Sequence, residues 1–168
     1  MYVQQIYTAC LAQASYYIEA NGEAVIIDPI RDNNLYIDLL QKRNAKLKYI
    51  FETHFHADFV SGHVELAKLT QAKIIFGPNA ETGYESIKAK DRQEFNVGNL
   101  KIRVLHTPGH TLESSCYLLL SEFEKEEAVF TGDTLFIGEV GRPDLAVNPT
   151  VTKEHLAKVK GYVDIGVK

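Results

Sequence analysis

Three times in this chain an apolar, strand-like run stops directly on a group of polar, metal-capable residues. Leu47-Lys48-Tyr49-Ile50-Phe51-Glu52 runs into Thr53-His54-Phe55-His56-Ala57-Asp58, Leu100 to Leu105 is followed by Thr107-Pro108-Gly109-His110-Thr111, and Ala128 to Thr131 leads into Gly132-Asp133-Thr134. Strand ends are where a rigid sheet can aim several loops at one point, so the pattern points to an α/β (α+β) scaffold with its chemistry at the strand ends.

The rest of the chain fits such a scaffold. Alternation over Ser15 to Glu19 and Glu23 to Asp28, joined by Asn21-Gly22, predicts a tight β-hairpin that opens the fold as a meander. Leu35, Leu39 and Leu40 recur at helical spacing between Asn33 and Asn44, and a second helix is expected from about Val60 to Thr70. Further strands are expected at Lys73 to Phe76, Leu100 to Leu105, Ser115 to Leu120 and Ala128 to Thr131, with a last amphipathic helix over Thr152 to Lys160.

With 168 residues, 45% of them hydrophobic, one domain over 1–168 is expected. The formal net charge is -4 and the Lys and Arg residues are scattered, which argues against a nucleic-acid partner. The N-terminus lacks a basic stretch followed by an apolar one, and no apolar run approaches the roughly 18 residues a membrane span needs. A soluble cytoplasmic protein without a membrane partner is the expectation. Cys10 and Cys116 lie far apart and make no C-x-x-C pair.

A lone loop histidine or aspartate is more often solvated or hydrogen-bonded than a ligand. Three such clusters together are a stronger signal for a metal. Two histidines two apart can converge from an irregular loop with a carboxylate beside them to orient a ring N–H, and Pro108-Gly109 fixes a turn that presents His110.

The order T-H-F-H-A-D, then T-P-G-H-T, then G-D-T resembles the metal motifs of metallo-β-lactamase-fold proteins over about residues 14 to 147. That likeness implies an αββα sandwich with a metal at one end. Binuclear hydrolases of this fold carry a histidine where this chain has Phe59, so single-metal chemistry is expected. Phe55-His56-Ala57-Asp58-Phe59-Val60-Ser61-Gly62-His63 and the segment from Gly132 through Gly141-Arg142-Pro143-Asp144-Leu145 resemble persulfide dioxygenases, notably the bacterial kind often fused to rhodanese domains.

The resemblance implies one Fe(II) per chain bound by His54, His110 and Asp133, with Zn or Mn possible in its place. It implies oxidation of a glutathione or coenzyme A persulfide by O2 to sulfite and thiol, with a rhodanese as a possible partner. His56 and Asp58 would be catalytic groups hydrogen-bonding the iron ligands or bound oxygen, and zinc held by His54, His56 and His110 is the alternative. Arg142 would bind a substrate carboxylate or phosphate, or else pair internally with an aspartate such as Asp144. His63 and His106 are expected to be structural, His155 solvated, and Cys116 a buried small hydrophobe. Two other readings stand beside this one: a glyoxalase II-like thioester hydrolase, and an inactive metal-binding fragment. Residues 148–168 do not match the family's usual continuation, so the chain reads as shortened, with an incomplete second sheet and self-association into a homo-oligomer through exposed edges.

Overall fold

The computed structural model describes residues 1–142. Strands β1 (Tyr2–Thr8), β2 (Gln13–Ala20) and β3 (Glu23–Ile27) form the antiparallel meander. Its hairpin turn places Asn21 at φ 51° and Gly22 at φ 77°, the left-handed pair that a two-residue turn matched to strand twist requires. From β3 the chain crosses over helix α1 (Asn34–Arg43) to β4 (Lys46–Phe51), and over helix α2 (His63–Thr70) to β5 (Lys73–Phe76); a two-residue β6 (Ile87–Lys88) closes the sheet. These strands pair in parallel, giving a six-stranded order β1-β2-β3-β4-β5-β6. The second sheet is antiparallel throughout, in the order β10-β9-β8-β7, from β7 (Glu94–Val97), β8 (Leu100–His106), β9 (Ser115–Leu120) and β10 (Glu126–Phe130).

Side-chain alternation along β3 shows how the layers are held. Val25 and Ile27 join Phe51, Ile75, Ile102, Val104, Tyr117 and Leu119 in the core between the sheets, whereas Ala24 and Ile26 pack with Tyr36, Leu40 and Leu66 from the helices. A strand buried on both faces needs the near-continuous apolar run seen here. Phe51 is central: its ring meets Phe95 at 5.5 Å and Tyr117 at 4.8 Å. Burying a side chain of this size contributes about 1.5–3 kcal/mol. On the far face of the second sheet lie Leu105, Cys116, Leu118 and Leu120, all buried, so Cys116 is the small hydrophobe expected.

The expected αββα sandwich is thus present as its helix, sheet and sheet layers. The helix expected over Thr152–Lys160, the solvated His155, Asp144 and the atypical tail at 148–168 lie outside the described residues. Two boundaries moved for physical reasons. Helix α2 starts at His63 rather than Val60, because Ser61 bridges to Ile30 and Gly62 donates to the Pro29 carbonyl. Strand β10 stops at Phe130 because Thr131 turns the chain into the 3-10 turn Gly132–Thr134. Among the described residues no helix is long and apolar enough to cross a membrane.

Candidate metal centre

The three polar clusters leave the ends of β4, β8 and β10, and the fold brings them to one edge of the sandwich. Thr53 is the junction. Its N–H and hydroxyl both donate to the Asp28 carboxylate at 2.7 Å, and its carbonyl accepts from the Ser115 N–H of the second sheet at 2.9 Å. Tyr117 adds a second tie, donating to the Glu52 carbonyl at 2.6 Å. The loop carrying His54 is therefore anchored to both sheets.

His54, His110 and Asp133 come together at this edge. Their donor atoms lie within 4.8 Å of one another, with Asp133 Oδ2 3.8 Å from His54 Nε2 and 3.5 Å from His110 Nε2. The side chains run from deep to shallow, 3% exposed for His54, 10% for His110 and 35% for Asp133, so the group opens to solvent on the carboxylate side.

The surrounding hydrogen bonds fix both imidazole tautomers. The single hydroxyl proton of Thr53 goes to Asp28, so at 3.0 Å from His54 Nδ1 the hydroxyl oxygen accepts the ring N–H. His110 Nδ1 faces the Arg142 carbonyl at 3.1 Å, which can only accept. Both Nε2 atoms are left bare and aimed at Asp133, the arrangement that outer partners impose on metal-binding histidines. Burial and the neighbouring His56 charge also depress the pKa of His54, keeping it neutral and able to ligate.

His56 does not join this group. Its ring lies against those of His54 and Phe59, each at 4.3 Å between centroids, and Nε2 turns inward to stand 3.2 Å from Asp28 Oδ1 and 3.7 Å from Glu52 Oε2. Burial opposes its protonation, but Asp28 and then Glu52 outweigh it and lift the His56 pKa to about 9. Asp58 is exposed and acts on His56 by its charge, while Phe59 packs as an apolar ring. Arg142 is exposed, and its carbonyl faces His110 Nδ1.

Sequence reasoning missed Asp28, Glu52 and Glu113. Asp28 ends β3 as the three clusters end their strands, so the same rule would have found it. Glu52 looked like the tail of a strand. Glu113 is buried and accepts the Phe55 N–H at 3.0 Å, a contact across 58 residues that no local signal announces. His63, expected to be structural, pairs with Tyr84 at 2.6 Å.

A pocket of about 400 Å³ borders Asp133, Asp28 and His56, with Tyr16, Phe130 and Ile137 among its apolar walls. Gly132 holds its floor. At φ +48°, a Cβ there would stand 2.4 Å from Thr53 Oγ1. Gly132→Ala is expected to push Thr53 off His54 and weaken metal binding by roughly 10–100-fold, the cost of losing an outer-shell partner. Equilibrium dialysis with Zn(II) measures this, and an unchanged affinity would show that Thr53 does not position His54.

Two imidazoles and a carboxylate with bare, convergent donors suit a divalent ion such as zinc, manganese or iron. Comparison with known proteins agrees. The Metallo-beta-lactamase superfamily model matches residues 8–161. The chain is 36% identical to a probable hydroxyacylglutathione hydrolase of Schizosaccharomyces pombe over 128 residues, 74% of this chain and 48% of that protein. It is 37% identical to the hydroxyacylglutathione hydrolase of Pelagibacter ubique over 126 residues, 73% of this chain and 51% of that protein. The chain spans about half the length of the curated relatives it matches. Among solved structures, a metallo-beta-lactamase from Staphylococcus aureus aligns with TM-score 0.87 and 35% identity over 98% of this chain and 52% of its own, and ETHE1 from Myxococcus xanthus with 0.76 and 31% over 86% and 62%.

These relatives correct the expectation of persulfide oxidation by O2 at iron, since the curated ones are named as hydrolases. The step that failed is physical: Phe59 speaks to how many metals bind, and a two-histidine, one-carboxylate face with open positions serves hydrolysis as well as oxygen chemistry. From its motifs, its sandwich and the matched family model, the chain belongs to the metallo-beta-lactamase superfamily.

Proposed function

We propose that this chain carries the metal centre of a thioester hydrolase acting on hydroxyacyl-glutathione or a similar acyl thioester. The observation that carries the reading is the convergence of His54, His110 and Asp133 beside an open pocket, and the names of the curated relatives support the substrate class. A divalent ion held by His54, His110 and Asp133 would supply Lewis acidity for attack of water on a thioester carbonyl. The protein's own part is orientation. Asp28 through Thr53 holds the His54 ring, and the Arg142 carbonyl holds the His110 ring. Tyr16, Phe130, Leu135 and Phe136 offer an apolar wall to the acyl group. The C–S bond breaks, the acyl carbon gains a hydroxyl, and the thiol leaves with a proton.

The test is thiol release from a hydroxyacyl-glutathione thioester by protein reconstituted with Zn(II) or Mn(II), with bound metal counted in the same sample. Release that scales with metal and disappears in His110→Ala is the expected result. No release at full metal occupancy, from this thioester or from an acetyl or benzoyl thioester of the same thiol, would sink the reading.

A further inference from the structure

The outer strands of an open sheet leave backbone N–H and C=O groups unpaired, and one edge of this molecule is built unlike the others. Among the described residues the edges are β1 and β6 of the six-stranded sheet, and β10 and β7 of the four-stranded one. Three of them carry features that keep an edge from pairing with another chain. β6 has only two residues, one of them Lys88. β10 is broken by a register shift between Glu126 and Ala128 and opens on two exposed glutamates. β7 is four residues long and turns Glu94 and Asn96 to solvent. β1 has none of these. Its seven residues, Tyr-Val-Gln-Gln-Ile-Tyr-Thr, include no charge, no proline and no glycine, and they pair with β2 without a shift.

We infer that β1 is the surface through which two copies of this chain associate, joining their six-stranded sheets edge to edge about a twofold axis. Directly opposed residues share one face of a sheet, so in a twofold antiparallel pair their numbers add to an even total. An axis on Gln5, the middle of the strand, pairs all seven residues. Val3 then meets Tyr7 of the second copy, Gln5 meets Gln5, Gln4 meets Ile6 and Tyr2 meets Thr8. Moving the axis to Gln4 or Ile6 leaves two residues of each strand unpaired. Val3 and Tyr7 are 40% and 62% exposed in the single chain, and their pairing sets a β-branched side chain against an aromatic one, a favourable cross-strand contact.

The strand therefore complements itself, and no like charges face each other across the axis. It is also held in place before a partner arrives. The Arg43 guanidinium lies 3.6 Å from the Tyr2 ring centroid, Tyr2 meets Tyr17 edge-on at 6.2 Å, and Gln5 donates to the Tyr16 hydroxyl at 3.1 Å. Pairing thus orders little that is not already ordered, which favours association. Gln5 lies opposite Tyr16, a wall residue of the pocket beside Asp133, so the axis passes one strand away from that pocket.

Sedimentation equilibrium on the full chain tests this without reference to the reaction. The unaltered protein should show a mass that rises with concentration from one chain to two. Gln5→Lys sets two like charges against each other on the axis and should weaken association at least about tenfold, as should Gln5→Glu. Mixing these two variants opposes unlike charges and should restore the dimer, a recovery that general loss of structure would not give. Asn96→Lys, on an edge of the other sheet, should leave association unchanged. Circular dichroism follows folding, and Val3→Lys mixed with Tyr7→Glu replaces the Gln5 pair should either of those variants fail to fold. A single-chain mass for the unaltered protein at every concentration would assign the edge to another segment or another protein and overturn the inference. A dimer that survives Gln5→Lys, a loss that mixing does not reverse, or equal weakening by Asn96→Lys would each place the interface elsewhere.

Discussion

Replacing Asp133 by Ala should strip the metal from His54 and His110 and lower thioester hydrolysis by more than about 100-fold, because losing an outer partner alone already costs 10–100-fold. Asp133 supplies the one anionic donor of the group and is its most exposed member, with a side chain 35% accessible. Truncating it removes charge without opening the core, so the melting temperature of the metal-free protein should hardly move. Bound zinc and thiol release, measured on one sample, separate the two effects. Full occupancy in the variant would take Asp133 out of the ligand set, and a large fall in melting temperature without metal would make it a structural residue.

The second large effect is expected at Asp28. It is buried, accepts both Thr53 donors at 2.7 Å, and faces His56 at 3.2 Å. Burial alone would raise its carboxyl pKa, but the His56 charge and the Thr53 donors overcome it and hold it below the usual value. Asp28→Ala leaves a buried N–H and a hydroxyl without their acceptor and an imidazolium without its nearest counter-charge, which should destabilise the fold by about 3–5 kcal/mol. That is a large part of the 5–15 kcal/mol typical of a domain, and corresponds to a melting temperature lower by roughly 6–20 °C. Urea unfolding gives the free energy directly. A loss below about 1 kcal/mol would mean that Thr53 and His56 find other partners or water.

Much of this was legible in the sequence because the signals were local. The Asn21-Gly22 turn, the four buried residues of β3 and the helical spacing of α1 each follow from a short stretch, and so do the three clusters that supplied His54, His110 and Asp133. The first strand was harder to read. In Tyr2–Thr8 apolar residues fall on both the half-buried and the exposed positions, which blurs the alternation. The inward turn of His56 was not legible either, because it depends on Asp28 and Glu52 arriving from neighbouring strands. The nature of the reaction was the least legible of all, since Phe59 reports on metal count and not on what the remaining metal does.

The metal donors do not belong to one layer. His54 follows a strand of the six-stranded sheet, whereas His110 and Asp133 follow strands of the four-stranded one. An ion shared among them is therefore a cross-link that staples the two sheets along their open edge, closing a chain loop from residue 54 to residue 133. Removing it frees that edge to breathe while the rest of the core between the sheets stays packed. Amide exchange at Thr53, Ser115 and Tyr117 should then report metal occupancy from within the scaffold.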